Sequence, residues 1–332
     1  MLRKITIIYL IIISLSCSNI KERQNFSFLG LNTTCSITIY NSSPIDIEEV
    51  KAQIMEIENL MSSHVFDSDV SNINRLAGIT FYKPSESTLT VIREGIKYGV
   101  ISNGEFDITI GPLISLWDIN NKTTVPNSRD IENLLPLVNY NNIIIEDKKV
   151  MLQNKDMSID LGGIAKGYAS NRLKDFLVSR GVKSAIINLG GNIDLIGLKN
   201  SNSLWSIGIQ HPRKIRGNYI GLLRVEESSF VSSGDYERFF IEDGIRYHHI
   251  LDSFTGYPKN GDIISSSILD SSAIKGDALS TITFGRSISD VKKLRESIEF
   301  EGVFITRNKE IYITDALKNI FTLKDETYSI IP

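Results

Sequence analysis

The sequence predicts an α+β fold in which mixed or antiparallel sheets carry flanking helices. Amphipathic helices dominate the first third of the chain and short strands and hairpins the second half, and helix and strand do not alternate as in a doubly wound sheet. Of 332 residues, 42% are hydrophobic and 23% are charged, which is enough to bury a sizeable core. The net charge of −3 gives no reason to expect a nucleic acid partner.

Local patterns support each element in turn. Residues 26–40 are rich in β-branched side chains and predict a strand or hairpin. Asp46 opens an amphipathic helix, and a second helix at 89–100 is closed by Asn103 and Gly104. Further elements are expected as a helix at 131–137, a hairpin at 142–152, a helix after Ile164, a buried strand at 184–196, strands at 205–210, 220–225, 229–232, 237–241 and 245–251, helices at 273–284 and 288–298, and a hairpin at 302–314.

The N-terminus predicts export. Residues 1–16 combine a basic start with an apolar segment that is too short to span a bilayer, as in a signal peptide. Cys17 follows, which is typical of a bacterial lipoprotein, although Ser14 stands where leucine is usual, so simple secretion and an uncleaved anchor stay open. We expect a tether at 17–25, one domain at 26–332, and a lipid-anchored protein of the bacterial cell envelope that faces the periplasm or the exterior.

A glycine pair at the centre of the chain is the first candidate site. Residues 158–169 read Ser-Ile-Asp-Leu-Gly-Gly-Ile-Ala-Lys-Gly-Tyr-Ala, between a strand predicted at 149–157 and the following helix. Glycines let backbone approach a ligand, and the first amides of a helix attract anions such as phosphate. Lys166 would add a positive charge. The alternative is a tight turn that binds no ligand.

A carboxylate and a hydroxyl form a second candidate site. Asp277 and Thr281 are four residues apart on a predicted helix and therefore share one face. Together with backbone carbonyls at Gly162 and Gly163 they would make an oxygen-only set that suits Mg²⁺ better than zinc. The alternative is a buried aspartate that bonds to its own helix.

Histidine and aromatic residues provide the remaining candidates. His248 and His249 are adjacent on a predicted strand, so one can face a cleft and act in proton transfer while the other faces core or solvent. Phe106 beside Asp107 offers an aromatic face next to a carboxylate, as a flavin or nucleobase site would. Asp160 can accept from a ligand or cap its own turn.

Taken in order, these stretches resemble the FAD:protein FMN transferase (ApbE) family over nearly the whole mature chain. The matching pieces are 61–63 with 71–74, 104–113, 160–169, 188–192, 233–238, 249–252 with 255–258, and 277–281.

The resemblance implies an exported, often lipid-anchored α+β enzyme that binds FAD and Mg²⁺. Such an enzyme transfers FMN from FAD to a Thr or Ser hydroxyl of a partner protein and releases AMP. The acceptor would carry an Asp-x-x-Ser/Thr-Gly/Ser/Ala-Ala-Ser/Thr type motif, and no such motif stands out in this chain, so we expect the acceptor to be another protein.

The resemblance also implies roles for individual residues. Asp277 and Thr281 would bind Mg²⁺ with the carbonyl of Gly163, and His249 would be the base for the acceptor hydroxyl. The FAD site would be formed by Glu105, Phe106, Asp107, Asp160, Lys166 and Ile250, with Leu31 and His64 near the flavin.

Three departures from the family pattern affect mainly the flavin contacts. Leu31 and Asn32 stand in place of Met-Gly, His64 stands in place of an aromatic residue, and Ser253 replaces a proline.

Two alternatives to the transferase stay open: the first would use the same metal and phosphate groups, and the second would be favoured by loss of Asp277, Thr281 or His249, which are all present. The first is an FAD pyrophosphohydrolase that yields FMN and AMP, and the second is a non-catalytic flavin-binding lipoprotein.

Overall fold

A computed structural model describes residues 23–40, 42–200 and 202–332. The predicted signal peptide, 1–16, and the predicted lipidation site, Cys17, lie outside the described residues. Within these ranges, no helix combines the length and the apolar character that crossing a membrane requires.

The secondary structure contains helices and strands in mixed order. The strands are β1 (Gln24–Gly30), β2 (Thr33–Ile39), β3 (Ile143–Glu146), β4 (Lys149–Leu152), β5 (Ala185–Leu189), β6 (Asn192–Ile196), β7 (Trp205–Gln210), β8 (Tyr219–Val225), β9 (Ser229–Gly234), β10 (Phe239–Glu242), β11 (Ile245–His248), β12 (Ile263–Asp270), β13 (Glu301–Thr306), β14 (Glu310–Ile313), β15 (Phe321–Leu323) and β16 (Ser329–Ile331). The helices are α1 (Ile47–Met61), α2 (Asp69–Arg75), α3 (Glu86–Ile101), α4 (Gly111–Trp117), α5 (Ser128–Leu134), α6 (Ala165–Ser179), α7 (Ala273–Thr283), α8 (Ile288–Ser297) and α9 (Asp315–Lys318).

One large sheet organises the described part of the chain. Its strand order is β1-β2-β5-β6-β9-β12-β13-β14-β16, and neighbours are antiparallel except for β14 and β16. Alternate residues of β13 point to opposite faces, as a pleated strand requires. Phe304 packs into the core under the helices, whereas Val303 and Ile305 pack against the small sheet β15-β8-β7. The predicted α+β class with largely antiparallel sheets is confirmed.

Helices cover the other face and bring the candidate residues together. Side chains from α1, α3, α6 and α7 share one core with the large sheet, among them Ile54, Ile92, Leu173 and Leu279. Helices α6 and α7 lie side by side, and α7 also packs on β9 and β12. A smaller cluster around Trp117 supports the hairpin β10-β11.

Two predicted strands differ from the structure. The strand expected at 149–157 stops at Leu152, because the chain turns and Asp156 adopts a positive φ of 66°. The strand expected at 184–196 is a hairpin, β5-β6, in which Gly190 and Gly191 have φ values of 65° and 107°. Glycine takes these angles without steric penalty, so the pair reverses the chain direction.

Strand β12, at the centre of the large sheet, was not predicted. Its sequence is rich in serine, a residue with no strong strand signal, and its serines are buried. Their hydroxyls are hydrogen-bonded inside the protein, Ser266 with Thr283 at 2.6 Å and Ser267 with Ser232 at 2.8 Å. The fold satisfies these polar groups by tertiary contacts that a pattern of apolar residues does not reveal.

Candidate active site

The segment before α6 is irregular but held at several points. Asn74 of α2 bonds both backbone groups of Ile159, accepting from its N–H at 2.8 Å and donating to its carbonyl at 3.0 Å. The amide of Asp160 donates to the carbonyl of Ile108 at 2.8 Å. The glycine pair therefore stands in a fixed position without belonging to a strand.

Asp160 closes the turn that contains the glycine pair. Its Oδ1 accepts from the amide of Gly162 at 2.8 Å, and its Oδ2 accepts from the hydroxyl of Ser63 at 3.4 Å. Asp160 is only half-buried, so its carboxylate also remains accessible to solvent. Its predicted capping role is present, and a contact with a ligand stays a prediction.

The anion at the N-terminus of α6 is the carboxylate of Asp277. Asp277 lies on α7, is 3% exposed, and accepts from the amide of Gly167 through Oδ2 at 2.8 Å. Its Oδ1 lies 3.6 Å from Nζ of Lys166. A negative charge is stabilised at a helix N-terminus, and the neighbouring lysine adds to that effect. The two predicted candidate sites are thus one site.

Only glycine at position 167 permits this approach of α6 to α7. A Cβ atom at Gly167 would lie 2.4 Å from the backbone oxygen of Ala273. Because that neighbour is backbone, it cannot move aside as a side chain would. The small residue therefore sets the spacing that brings Asp277 to the α6 amide.

Three segments of the chain meet at the hydroxyl of Thr281, one helical turn after Asp277 on α7. Thr281 Oγ1 donates to the carbonyl of Asp277 at 3.2 Å and lies 3.4 Å from the hydroxyl of Ser233 on β9. An ideal Cβ at Gly163 would be 3.9 Å from Thr281 Oγ1, so the glycine backbone lies next to the hydroxyl.

The donor set fits a hard cation that shares its ligands with a substrate. Among the described residues, no group of three or more His, Cys, Asp or Glu side chains is placed to hold a metal ion by itself. One carboxylate, one hydroxyl and a backbone carbonyl leave coordination positions open, and Mg²⁺ commonly fills such positions with phosphate oxygens and water. The residues present therefore fit Mg²⁺ bound together with a phosphate compound.

The segment before α4 forms one wall of the site. Phe106 is 5% exposed, packs edge-on against Tyr98, and would contact a Cβ at Gly163 at 3.2 Å. The carboxylate of Glu105 accepts from Nε of Arg286 at 2.8 Å. Phe106 therefore adjoins the oxygen cluster, and Glu105 is held in place by an ion pair.

Both oxygens of the Asp107 carboxylate accept hydrogen bonds from the protein. It accepts from the amide and hydroxyl of Thr109 at 2.8 and 2.6 Å, and from the amide of Tyr140 at 2.8 Å. Burial raises the pKa of this carboxyl, while these hydrogen bonds oppose the rise. Asp107 organises the loop that carries Phe106, and no free lone pair is needed for that role.

The two histidines have opposite environments, as strand alternation predicts. His248 is buried, its Nε2 donates to the carbonyl of Lys259 at 3.0 Å, and its Nδ1 accepts from the amide of Ile250 at 3.3 Å. His249 is half-buried and places Nδ1 3.3 Å from the carbonyl of Arg238. A carbonyl only accepts, so this contact places the proton on Nδ1 and leaves Nε2 with a free lone pair.

The surroundings of His249 favour its neutral form. Burial lowers its pKa well below 6.5, and the positive charges of Arg238, His248 and Lys166 lower it further. A neutral imidazole with a free Nε2 can accept a proton at neutral pH. The segment after β11 thus presents a base, and the positive charge of Lys166 acts on it.

The other predicted FAD contacts lie around the cluster in different ways. Leu31, at the β1-β2 turn, donates its amide to Glu58 at 3.0 Å. His64 is exposed after α1, and Ile250 is buried beside His248. No contact joins Leu31 or His64 to the oxygen cluster within the described ranges, so these two assignments stay predictions.

Sequence reasoning gave no role to several residues of the site. Ser233 belonged to a matching motif but was given no role of its own, yet its hydroxyl lies 2.8 Å from that of Ser280 and 3.4 Å from that of Thr281. Lys259 was not considered, although its ammonium donates to the carbonyl of Thr281 at 3.0 Å and burial lowers its pKa to about 8. The motif at 233–238 was the available signal, but only the fold brings it to α7.

The ApbE family profile matches residues 31–304 of this chain, which include every element of the site. The chain belongs to the ApbE family. It is 30% identical to the FAD:protein FMN transferase of Klebsiella pneumoniae strain 342, covering 92% of this chain and 96% of that protein. It is 29% identical to the protein of the same name from Vibrio cholerae O395, covering 80% of this chain and 82% of that protein.

Solved ApbE structures share the fold. The crystal structure of the Thermotoga maritima ApbE protein superposes with a TM-score of 0.82 at 29% identity, covering 90% of this chain and 99% of that one. The flavin transferase ApbE from Vibrio cholerae gives a TM-score of 0.81 at 25% identity with the same coverage. The predicted ApbE resemblance is confirmed for both sequence and fold.

Proposed function

We propose that this chain is a Mg²⁺-dependent enzyme that transfers FMN from FAD to a threonine or serine hydroxyl of a partner protein and releases AMP. Membership of the ApbE family and the activity in the names of its relatives support the FMN transfer itself. The observation that carries the proposal is the arrangement of Asp277 with Thr281 and Lys166 at the start of α6, where the amide of Gly167 fixes the carboxylate.

Asp277, Thr281 and the carbonyl of Gly163 would hold the Mg²⁺ ion. The support is an oxygen-only donor set in which the carboxylate is already fixed by the amide of Gly167. When bound, Mg²⁺ would neutralise charge on the two phosphates of FAD as the anhydride bond breaks.

His249 would act as the general base. Its Nε2 would accept the proton of the acceptor hydroxyl while the hydroxyl oxygen attacks the phosphorus of the FMN half. The bond from that phosphorus to the oxygen of the AMP half breaks, and AMP leaves. The Nδ1 contact with the carbonyl of Arg238 supports this role, because it fixes the tautomer and the ring orientation.

The proposal also assigns the residues that contact FAD. We propose that the ammonium of Lys166 contacts a phosphate of FAD. The support is that this ammonium lies 3.6 Å from the carboxylate of Asp277, the proposed Mg²⁺ ligand. The proposed FAD-binding residues are Leu31, His64, Glu105, Phe106, Asp107, Asp160, Lys166 and Ile250.

We also propose that Cys17 carries a lipid and anchors the enzyme to a membrane, facing the periplasm or the exterior. The support is the signal-like sequence at 1–16, and the start of β1 at Gln24, which leaves only a short tether. Radiolabelled palmitate should be incorporated into the wild-type protein and not into Cys17→Ser. Equal labelling of both proteins would reject the lipid site.

The activity is tested with the protein from Ser18 onward, FAD and Mg²⁺, with and without a protein that bears the Asp-x-x-Ser/Thr-Gly/Ser/Ala-Ala-Ser/Thr motif. We expect AMP release together with a mass increase of the acceptor that matches one FMN. Release of AMP and free FMN without an acceptor would identify an FAD pyrophosphohydrolase instead. FAD that stays bound and intact in both reactions would identify a flavin-binding protein.

A further inference from the structure

Arg238 directly precedes β10, and His249 directly follows β11, at the open end of this hairpin. The register of β10 and β11 pairs Phe239 with His248, and the amide of His249 continues the ladder by donating to the carbonyl of Arg238 at 3.1 Å. Directly opposed residues of an antiparallel pair point to the same face, with Cβ atoms about 4.5–5.5 Å apart. This continuation of the ladder by one residue predicts that the side chain of Arg238 lies on the same face as the imidazole of His249.

The guanidinium of Arg238 has no carboxylate partner, unlike three other arginines of this region. Arg213 pairs with Asp235 at 2.6 Å, Arg216 with Glu237 at 3.3 Å, and Arg286 with Glu105 at 2.8 Å. Across residues 23–40, 42–200 and 202–332, Arg238 makes no ion pair within 4.0 Å and its guanidinium donates no hydrogen bond. Five donors in a fixed plane are thus free for a ligand.

Arg238 is accessible and yet surrounded by protein. The residue is exposed, but partial desolvation still lowers the pKa of its guanidinium, while the negative charges of Asp160 and Glu237 oppose that effect. The amide and Nδ1 of His249 both contact the carbonyl of Arg238, so Arg238 lies beside the proposed base. The stronger of the two negative charges that act on its guanidinium is that of Asp160, in the glycine turn before α6, the helix that carries Lys166.

We propose that Arg238 is a further catalytic residue, which binds the phosphates of FAD and stabilises the negative charge that develops on the FMN phosphate during transfer. This inference rests on the proposed function. A guanidinium can donate two parallel hydrogen bonds to one phosphate, which a lysine cannot do. Arg238 neither gains nor loses a proton in the step. The hydroxyl proton goes to His249, the new P–O bond forms to the acceptor, and AMP leaves.

The same charge keeps His249 in its basic form. Burial is the largest cause of the lowered pKa of His249, and Arg238 is the second, ahead of His248 and Lys166. Removing the charge of Arg238 should therefore raise the pKa of His249. The acid limb of the profile of kcat/KM against pH should then move to higher pH, because His249 must be neutral to accept a proton. A purely structural role would leave this limb unchanged.

The test compares Arg238→Gln and Arg238→Lys with the wild-type protein, and uses Arg216→Gln as the matched control because Arg216 is exposed and paired with Glu237. Two quantities are measured for each protein: kcat/KM for FMN transfer as a function of pH, and the affinity for ADP in the presence of Mg²⁺. ADP presents the same pair of phosphates without the flavin and cannot undergo the transfer.

We expect Arg238→Gln to reduce kcat/KM by about 100- to 1,000-fold, to weaken ADP binding, and to move the acid limb to higher pH. Arg238→Lys should keep the wild-type acid limb but recover only part of the rate, and Arg216→Gln should resemble wild type.

Wild-type ADP affinity in Arg238→Gln would overturn the proposal, as would an unchanged acid limb in a folded variant. If Arg238→Gln does not fold, Arg238→Lys decides, and full activity in that variant overturns the bidentate contact. If wild-type protein transfers no FMN, the proposed function fails, while ADP affinity still decides the phosphate contact of Arg238.

Discussion

The carboxylate of Asp277 on α7 accepts a hydrogen bond from the amide of Gly167 on α6 at 2.8 Å. This contact fills the N-terminal anion position of α6 with a side chain of the protein, and it fixes one oxygen of the carboxylate. The other oxygen is left to Lys166, at 3.6 Å, and to a cation. The packing of two helices therefore orients the proposed metal ligand before any substrate binds.

Asp277→Asn should abolish most Mg²⁺-dependent turnover. The amide oxygen can still accept from Gly167, so the fold should persist, but the negative charge that holds the cation is lost. We expect a decrease of more than about 100-fold in AMP release at saturating Mg²⁺. Thermal unfolding checks the fold, and Asp175→Asn, at an exposed position of α6, is the control. Normal turnover in Asp277→Asn would exclude Asp277 as a metal ligand.

Thr281→Val and Thr281→Ser separate the hydroxyl of Thr281 from its shape. Valine keeps the volume but removes Oγ1, which lies between Ser233 and the carbonyl of Asp277, whereas serine keeps the oxygen. We expect valine to raise the Mg²⁺ concentration needed for half-maximal activity by about 10- to 100-fold, and serine to change it little. A titration of activity against Mg²⁺ measures this. Equal Mg²⁺ requirements in the two variants would show that the hydroxyl does not bind the cation.

The pH profile of the wild-type enzyme should reflect the lowered pKa of His249. Because the folded protein holds this pKa well below 6.5, the imidazole stays neutral through pH 6.5 and loses basic function only as the pH falls further. The acid limb of kcat/KM should therefore lie below pH 6.5. His249→Gln should lose about 100- to 10,000-fold in transfer while keeping FAD affinity, and its residual activity should lack that limb. An acid limb retained in His249→Gln would assign it to another group.

Gly167→Ala should destabilise the protein and damage the metal site together. The added Cβ would lie 2.4 Å from the backbone oxygen of Ala273, so α6 and α7 must separate. We expect a loss of about 1–3 kcal/mol in the free energy of unfolding and a rise in the Mg²⁺ concentration needed for half-maximal activity. Chemical denaturation measures the first quantity. Gly181→Ala is the control, since nothing lies within 4 Å there and only a positive φ of 80° opposes the substitution. Unaltered stability of Gly167→Ala would contradict a close helix contact.

Local patterns in the sequence determined much of the fold. The amphipathic helix after Asp46, the helix closed by Asn103 and Gly104, and the strand at 205–210 all form where they were predicted. These elements depend on apolar periodicity and on capping residues, which act within a few residues of chain. The buried serines of β12 carried no such signal, since their hydroxyls are satisfied only by distant partners.

The sequence by itself also determined the family and the residue types of the proposed chemistry, because motifs such as 160–169 and 277–281 are contiguous. It also suggested that the carbonyl of Gly163 joins Asp277 and Thr281 around one Mg²⁺ ion. Only the tertiary structure showed what holds the two segments together, an amide of α6 and a carboxylate of α7 that are 110 residues apart in the chain. The backbone hydrogen bond between His249 and Arg238 likewise forms only when β10 pairs with β11. Hydrogen bonds act over about 3 Å, so relationships between distant residues exist only after the chain has folded.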